Sequence, residues 1–147
     1  MSLCLDCGFC CDGTMFSNVP LGADEAVPHR AIGACPGDTG FAQPCAALNR
    51  TACTVYEGRP KACRAFRCGA LAGLEDGTMS RQEAEGTLAE VRARRAQVAE
   101  LVRASTPGAA VVAARQLVKE GRATAEITDA LNRLLRLVML LSQEPPR

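Results

Sequence analysis

C-L-D-C-G-F-C-C, residues 4–11, is the densest cysteine stretch of the chain and decides how its N-terminal part can fold. It contains Cys4, Cys7, Cys10 and Cys11. A second quartet follows further along the chain: Cys45, Cys53, Cys63 and Cys68. Core packing does not require thiols at this density, whereas one or two polythiolate metal sites do. Eight of the nine cysteines are therefore predicted to bind metal.

The composition indicates that the cysteine-rich part needs support beyond hydrophobic burial. Only 3% of the 147 residues are aromatic, with no Trp and one Tyr. A core with so few large rings is thin, and small domains with thin cores depend on metals or disulfides. An odd number of cysteines, nine, fits poorly with complete disulfide pairing.

Localisation decides between metals and disulfides. The start of the chain, Met1-Ser2-Leu3, lacks the basic and apolar regions of a secretory signal, and no apolar run approaches the ~20 residues of a membrane span. We therefore expect a cytoplasmic protein that makes no use of a membrane. Cysteines in that compartment stay reduced, which favours metal binding.

Glycine, proline and apolar spacing divide the chain into two regions. Residues 1–79 are rich in Gly, Pro and Cys, and we predict a small irregular metal-stabilised domain with turns and short helices. Leu71–Gly77 is predicted to form the turn that leaves this domain. Residues 80–143 are predicted to form an all-α region of about three helices, a hairpin or three-helix bundle that packs on the first domain. Residues 144–147 are predicted to form a flexible tail.

Cap residues place the three helices. Ser80 and Glu83 form a capping box at the start of the first. Thr106 caps the second, with Pro107 at its first position, and the third runs from about Thr124 to Ser142. Arg95 interrupts the apolar stripe of the first helix, which consists of Ala84, Leu88, Val91, Val98 and Val102.

The third helix is apolar over much of its circumference. Its apolar residues include Leu134, Leu135, Leu137, Val138, Leu140 and Leu141. One packed face needs fewer apolar residues than this. The sequence therefore leaves open whether the C-terminal helices only form a core or also contact a protein partner or a second copy of the chain.

Two features of residues 4–11 indicate how their sulfurs are arranged. Cys4 and Cys7 have the spacing of a metal knuckle, and Gly8 can take the positive φ that turns the chain tightly behind the second sulfur. Cys10 and Cys11 are adjacent, so their side chains diverge and fit poorly on one mononuclear ion. This pattern predicts that the first quartet is shared between two sites or belongs to a polynuclear one.

The sulfur ligands narrow the choice of metal but do not select one. Sulfur ligands favour zinc or an iron–sulfur cluster over calcium or magnesium. Two tetrathiolate zinc sites, or one four-cysteine cluster with a second ion or free thiols, fit eight cysteines equally. His29 is predicted to be a solvated residue of a Pro/Gly-rich loop, not a ligand. Cys35 lies outside both quartets, as an ordinary thiol or a reserve ligand.

Positive charge surrounds the second quartet. The basic residues are Arg59, Lys61, Arg64 and Arg67, and nearby in sequence only Glu57 opposes them. Cations near Cys63 and Cys68 would offset the negative charge of a metal thiolate site and lower thiol pKa values. Few aromatic residues are interleaved with these cations, and the net charge of the chain is +1, which argues against nucleic acid as a partner.

Residues 4–68 resemble the CxxCxxCC cysteine-cluster family, also called the YkgJ-type family of zinc- or iron-chelating domains. The resemblance rests on the eight cysteines together with Gly8, Pro44, Leu48, Val55, Tyr56, Arg59, Pro60, Arg64 and Phe66. It implies metal binding by Cys4, Cys7, Cys10, Cys11, Cys45, Cys53, Cys63 and Cys68. It does not cover the helices from Ser80, and Cys35 is an additional cysteine.

The resemblance also extends to an enzyme class. The same cysteine module occurs in flagellin lysine N-methylases, but this chain is much shorter and has no GxGxG-like loop of an ordinary methyltransferase. Three functions stay open from the sequence: a metal-binding protein, an iron–sulfur redox or protein-modifying component, and an adaptor that binds a partner through its helices. No residue pattern indicates catalytic residues or a substrate.

Overall fold

The computed structural model describes residues 3–142, and the chain divides into two compact units between Phe66 and Arg67. The predicted fold class is confirmed: an irregular N-terminal region with short helices and small sheets precedes packed C-terminal helices. The sequence placed the boundary after residue 79, thirteen residues beyond Phe66 in the numbering of the chain. Residue 143 and the predicted tail 144–147 lie outside the described residues.

The first unit is built from short elements. They are α1 Leu3–Cys7, β1 Asn18–Pro20, α2 His29–Ile32, β2 Gly40–Ala42, β3 Leu48–Asn49, β4 Ala52–Cys53, a 3-10 helix Tyr56–Gly58 and α3 Lys61–Ala65. Strands β1 and β2 pair antiparallel, and so do β3 and β4. Gly40 lets β2 approach β1, because a Cβ there would lie 2.7 Å from Asn18 Oδ1 and 2.9 Å from Val19 O.

The core of the first unit is small and mostly aliphatic. One cluster of buried residues consists of Val19, Leu21, Ile32, Ala34, Phe41 and Ala47, and Leu3, Phe9 and Met15 of the same unit are buried as well. Phe41 is the aromatic ring of this cluster and lies opposite Val19 in the β1–β2 register. Half-buried Cys45, Cys53 and Cys63 pack against it. The thin core expected from the composition is therefore extended by cysteine sulfurs.

The second unit consists of α4 Gly69–Asp76, α5 Arg81–Val102, α6 Pro107–Lys119 and α7 Ala125–Ser142. Helix α5 packs against α4, α6 and α7. The predicted caps are confirmed: Glu83 N donates to Ser80 Oγ at 3.2 Å, and Ser80 N donates to Glu83 Oε2 at 2.7 Å. Ala109 N donates to Thr106 Oγ1 at 3.2 Å.

Helix α4 contradicts one sequence prediction, because Leu71–Gly77 is not a turn. The segment is helical to Asp76 and ends at Gly77, whose φ is 73°. Its buried residues include Gly73, where a Cβ would lie 2.9 Å from Met79 Cβ. Close packing of small residues therefore supports a helix that the glycine content of the sequence argues against.

The apolar stripes of α5 and α7 form the core of the second unit. On α5, the predicted stripe is buried at Ala84, Leu88, Val91 and Val98 and half-buried at Val102. On α7, the buried face consists of Ile127, Ala130, Leu131, Leu134, Val138 and Leu141. Met139 and Leu140 lie outside that face and are 62% and 66% exposed. Among the helices of residues 3–142, none has the length and apolarity needed to cross a membrane.

The buried face of α7 yields a stability prediction. Leu134 is fully buried, so Leu134→Ala should lower the free energy of unfolding by about 2–5 kcal/mol through lost burial and a cavity. Leu140→Ala removes the same atoms from an exposed site and should change it by less than about 0.5 kcal/mol. Urea unfolding followed by circular dichroism at 222 nm measures both. Equal losses in the two variants would contradict this packing.

Candidate metal centre

The turn after α1 brings the first cysteine quartet close to β4. Gly8 ends the helix with a φ of 72°, as the sequence predicts. A Cβ at Gly8 would lie 3.0 Å from Thr51 Cα and 3.2 Å from Thr51 O. Position 8 therefore requires glycine both for its backbone conformation and for this close approach. The amides of Cys11 and Asp12 each donate to Gly8 O at 3.0 Å, which completes a tight turn.

Two further contacts join the quartets. Helix α1, which carries Cys4 and Cys7, contacts β4, which carries Cys53. The amide of Cys45 donates to Cys11 O at 2.7 Å. Segments more than thirty residues apart in the chain therefore meet at the cysteines.

Four thiols form one half-buried cluster, which we call the four-thiol cluster: Cys11, Cys45, Cys53 and Cys63. Burial raises the pKa of Cys11 to about 12, and the charges that the other three thiolates would carry contribute to this rise, as does Asp12. This mutual influence shows that the four sulfurs lie within electrostatic reach of one another. Cys11 comes from the first quartet and the other three from the second.

Cys63 and Cys45 respond in the same way. Burial raises the pKa of Cys63 to about 11, with added repulsion from Cys45 and Cys53, whereas Arg59 lowers it. Burial also raises the pKa of Cys45, although a hydrogen bond from the Ala47 amide opposes this. Buried thiols without a cation therefore hold their protons at neutral pH, and a divalent cation would reverse that preference.

The contacts described for the adjacent Cys10 and Cys11 involve different partners. Cys11 joins the four-thiol cluster, whereas the Cys10 thiol lies 4.0 Å from the thioether of buried Met15. Cys10 thus contacts a second sulfur atom outside the cluster. That the first quartet is shared between two sites or belongs to a polynuclear one stays a prediction.

Cys68 belongs to the second unit, where it caps α4. Its Sγ accepts a hydrogen bond from Leu71 N at 3.4 Å. This role was not predicted, because cysteine is an unusual N-cap residue. Metal binding by Cys68 stays a prediction.

Cys35 and His29, which the sequence analysis placed outside the two quartets, have different surroundings. Cys35 is exposed, and its amide donates to Asp38 Oδ2 at 2.7 Å in a turn. His29 begins α2 and is half-buried, so its predicted position in a solvated loop is wrong. The nearby prolines predicted a loop, but Pro28 is followed directly by the four-residue helix α2.

Glu25 is a charged residue near the cluster that the sequence did not reveal. Its carboxylate accepts hydrogen bonds from the amides of Lys61 and, at 3.2 Å, Gly22. These bonds, the one from Lys61 first, lower the pKa of Glu25. The expectation that only Glu57 opposes the basic residues is therefore wrong, since Glu25 faces the start of α3 and Glu75 pairs with Arg67.

Arg59 is a basic residue whose charge acts on the four-thiol cluster. Its guanidinium lies 3.6 Å from the centre of the Tyr56 ring and donates to Tyr56 O at 2.6 Å. Ring stacking and this hydrogen bond hold the cation in one place, from which it lowers the pKa of Cys63. Arg59 thus supplies a fixed positive charge beside the sulfurs.

Several of the cysteines lie close together in the described part of the chain. No group of three or more His, Cys, Asp or Glu side chains within residues 3–142 already has metal-binding geometry. All nine cysteines are present as thiols, not disulfides. Comparisons with known protein families, curated proteins and solved structures find no match to this chain.

The Glu25 contact gives a pH-dependent prediction. Because folding lowers the pKa of Glu25 below its ordinary value of 4.5, its stabilising effect is present above pH 4.5 and is lost as the pH falls through the folded-state pKa. Glu25→Gln should therefore lower the melting temperature at pH 7 and have a smaller effect at an acidic pH below 4.5, where the folded-state carboxylate becomes protonated.

Glu57→Gln is the matched control, since it removes the same charge from an exposed side chain of the 3-10 helix. Differential scanning fluorimetry of both variants and the wild type at the two pH values makes the comparison. A Glu25→Gln effect that is as large under the acidic condition as under the neutral one would show that the carboxylate charge is not responsible.

Proposed function

We propose that this chain is a cytoplasmic metal-binding protein in which cysteine sulfurs hold zinc or an iron–sulfur cluster. The observation that carries the proposal is the four-thiol cluster beside the small core of the first unit. The proposed ligand set also retains the other cysteines of the two quartets: Cys4, Cys7, Cys10 and Cys68. Membership of the CxxCxxCC family is part of the same proposal.

The chemistry of the donor set fits these metals. Four sulfurs are the usual ligand number of a structural zinc ion or of a four-cysteine iron–sulfur cluster. Soft sulfur ligands disfavour magnesium and calcium. The thiols of Cys11 and Cys63, with pKa values of about 12 and about 11, would release protons on binding, so affinity should rise with pH.

Residues around the sulfurs would complete such a site. The Ala47 amide donates to the Cys45 sulfur and favours its thiolate form, and Arg59 does the same for Cys63 through its charge. The bound metal would supply free energy of folding to a unit whose aliphatic core is small. These residues orient the sulfurs and offset part of their negative charge.

A second candidate function is that of an adaptor. The observation that favours it is the exposure of Met139 and Leu140 on α7, at 62% and 66%. A protein partner or a second copy of the chain would bury them. The iron–sulfur redox or protein-modifying component rests on the family resemblance alone.

Metal content tests the main proposal. Protein purified anaerobically should be brown with broad absorbance near ~400 nm if it holds an iron–sulfur cluster, or colourless with about one or two zinc ions if it holds zinc. Cys63→Ser removes one member of the four-thiol cluster and should reduce the metal content measured by elemental analysis.

Cys35→Ser is the matched control, because Cys35 is exposed and stands outside the cluster. It should retain the metal of the wild type. Wild-type protein that contains neither metal, or equal metal content in both variants, would contradict the proposal.

Metal removal tests its structural role. Chelation should unfold residues of the first unit, because sulfur sites of this kind are rarely preformed without metal. Limited proteolysis should then cut before Phe66, while α5–α7 keep their helical circular dichroism. If a chain with verified metal loss keeps its native spectrum and its resistance to protease, the metal is not what stabilises the first unit.

A further inference from the structure

A second pair of sulfur atoms lies outside the four-thiol cluster. The Cys10 thiol and the Met15 thioether are 4.0 Å apart. Two sulfurs that bind one metal ion at about 2.3 Å, with a tetrahedral or trigonal angle between the bonds, lie about 3.8–4.0 Å from each other. The separation of this pair therefore matches that of two ligands on one ion.

A closed loop holds these two sulfurs next to each other. Phe9 and Met15 are both buried, at 1% and 7% exposure. The Met15 amide donates to Phe9 O at 3.1 Å, so the chain returns to the residue beside Cys10. Within the loop, the Thr14 amide donates to Asp12 Oδ1 at 2.8 Å. Backbone hydrogen bonds and burial thus keep the thioether in contact with the thiol.

The two sulfurs differ in exposure and in chemistry. Cys10 is half-buried, so an ion can reach its sulfur from solvent, whereas Met15 supplies its sulfur from the interior. A thiol must lose its proton to bind a metal, but a thioether carries no proton and stays neutral. The pair therefore offers one anionic and one neutral soft ligand.

This combination of ligands selects among metals. Zinc in proteins is bound by thiolate, imidazole and carboxylate groups, and iron–sulfur clusters by thiolates. Thiolate together with thioether is a soft ligand set that favours monovalent copper, Cu(I). The Met15 thioether thus distinguishes this pair from the four-thiol cluster.

We propose that Cys10 and Met15 bind a Cu(I) ion. On binding, the S–H bond of Cys10 breaks and its proton passes to water, and each sulfur then donates an electron pair to the ion. The copper keeps its oxidation state throughout. This site extends metal binding to Met15 and does not depend on which metal the four-thiol cluster holds.

NMR of the full-length protein, as purified and labelled with carbon-13 at the methionine methyl groups, tests the assignment. The chain has four methionines, and Met15→Leu identifies the Met15 signal because leucine has a similar volume and no sulfur. Cu(I) titrated to saturation without oxygen should shift the Met15 signal. The signal of half-buried Met79, in the second unit, is the internal control and should stay in place. Zn²⁺ should shift neither signal.

Two cysteine variants locate the copper. Cys10→Ser removes the thiol beside Met15, so the shift caused by Cu(I) should be lost. Cys63→Ser removes a sulfur of the four-thiol cluster and should retain that shift. Circular dichroism and a single sharp Met15 signal before copper is added check that each variant is folded, with Cys10→Ala as the second variant at position 10.

The outcomes separate this site from the main proposal. A Met15 signal that Cu(I) leaves in place would show that Met15 is a core residue only. A shift that persists in Cys10→Ser and Cys10→Ala, that is lost in Cys63→Ser, or that Zn²⁺ causes equally would each overturn the copper site. Failure of the main proposal appears in a different measurement, the zinc and iron content of Cys63→Ser.

Discussion

The approach of Gly8 to Thr51 is the contact on which the arrangement of the cysteines depends. It leaves 3.0 Å between Thr51 Cα and the position of a Cβ at residue 8, so any other residue would force the segments apart. Because of this contact, α1 lies on β4 and the chain reaches Cys11 beside Cys45 and Cys53. A single missing side chain thus permits two distant parts of the sequence to share one sulfur-rich region.

That region combines two kinds of packing that oppose each other. Half-buried sulfur behaves as a small apolar group and extends the aliphatic core around Phe41 and Ile32. A thiolate in the same place would lose its hydration and be repelled by other thiolates, so burial first and neighbouring charges second raise the pKa of Cys11 to about 12. Ionised sulfurs can therefore share this space only with a cation such as the proposed zinc ion, whereas protonated thiols add only a few apolar atoms to a small core.

Local signals in the sequence predicted the helical unit well and the cysteine unit in part. Ser80, Thr106 and the stripe of α5 act within a few residues, so their positions could be read from spacing. Helix α4 was missed because its glycines lower helix propensity and its cap is a sulfur atom. Glu25 was missed because its partner, Lys61, is 36 residues away. Spacing indicated that Cys10 and Cys11 diverge, but which of them joins the second quartet depends on tertiary contacts.

The β3–β4 hairpin determines the direction in which the Cys53 sulfur points. Each strand has two residues, and Cys53 pairs with Leu48 across a turn in which Arg50 has a φ of 57°. Side chains alternate between the faces of a strand, so a slip of one residue would point the Cys53 sulfur to the opposite face. Beyond the two paired positions, the Thr54 amide and hydroxyl donate to Ala47 O at 2.8 and 2.9 Å, which holds this register. The side of the hairpin on which this sulfur emerges is therefore specified by loop length, and an insertion there would redirect it without changing any cysteine.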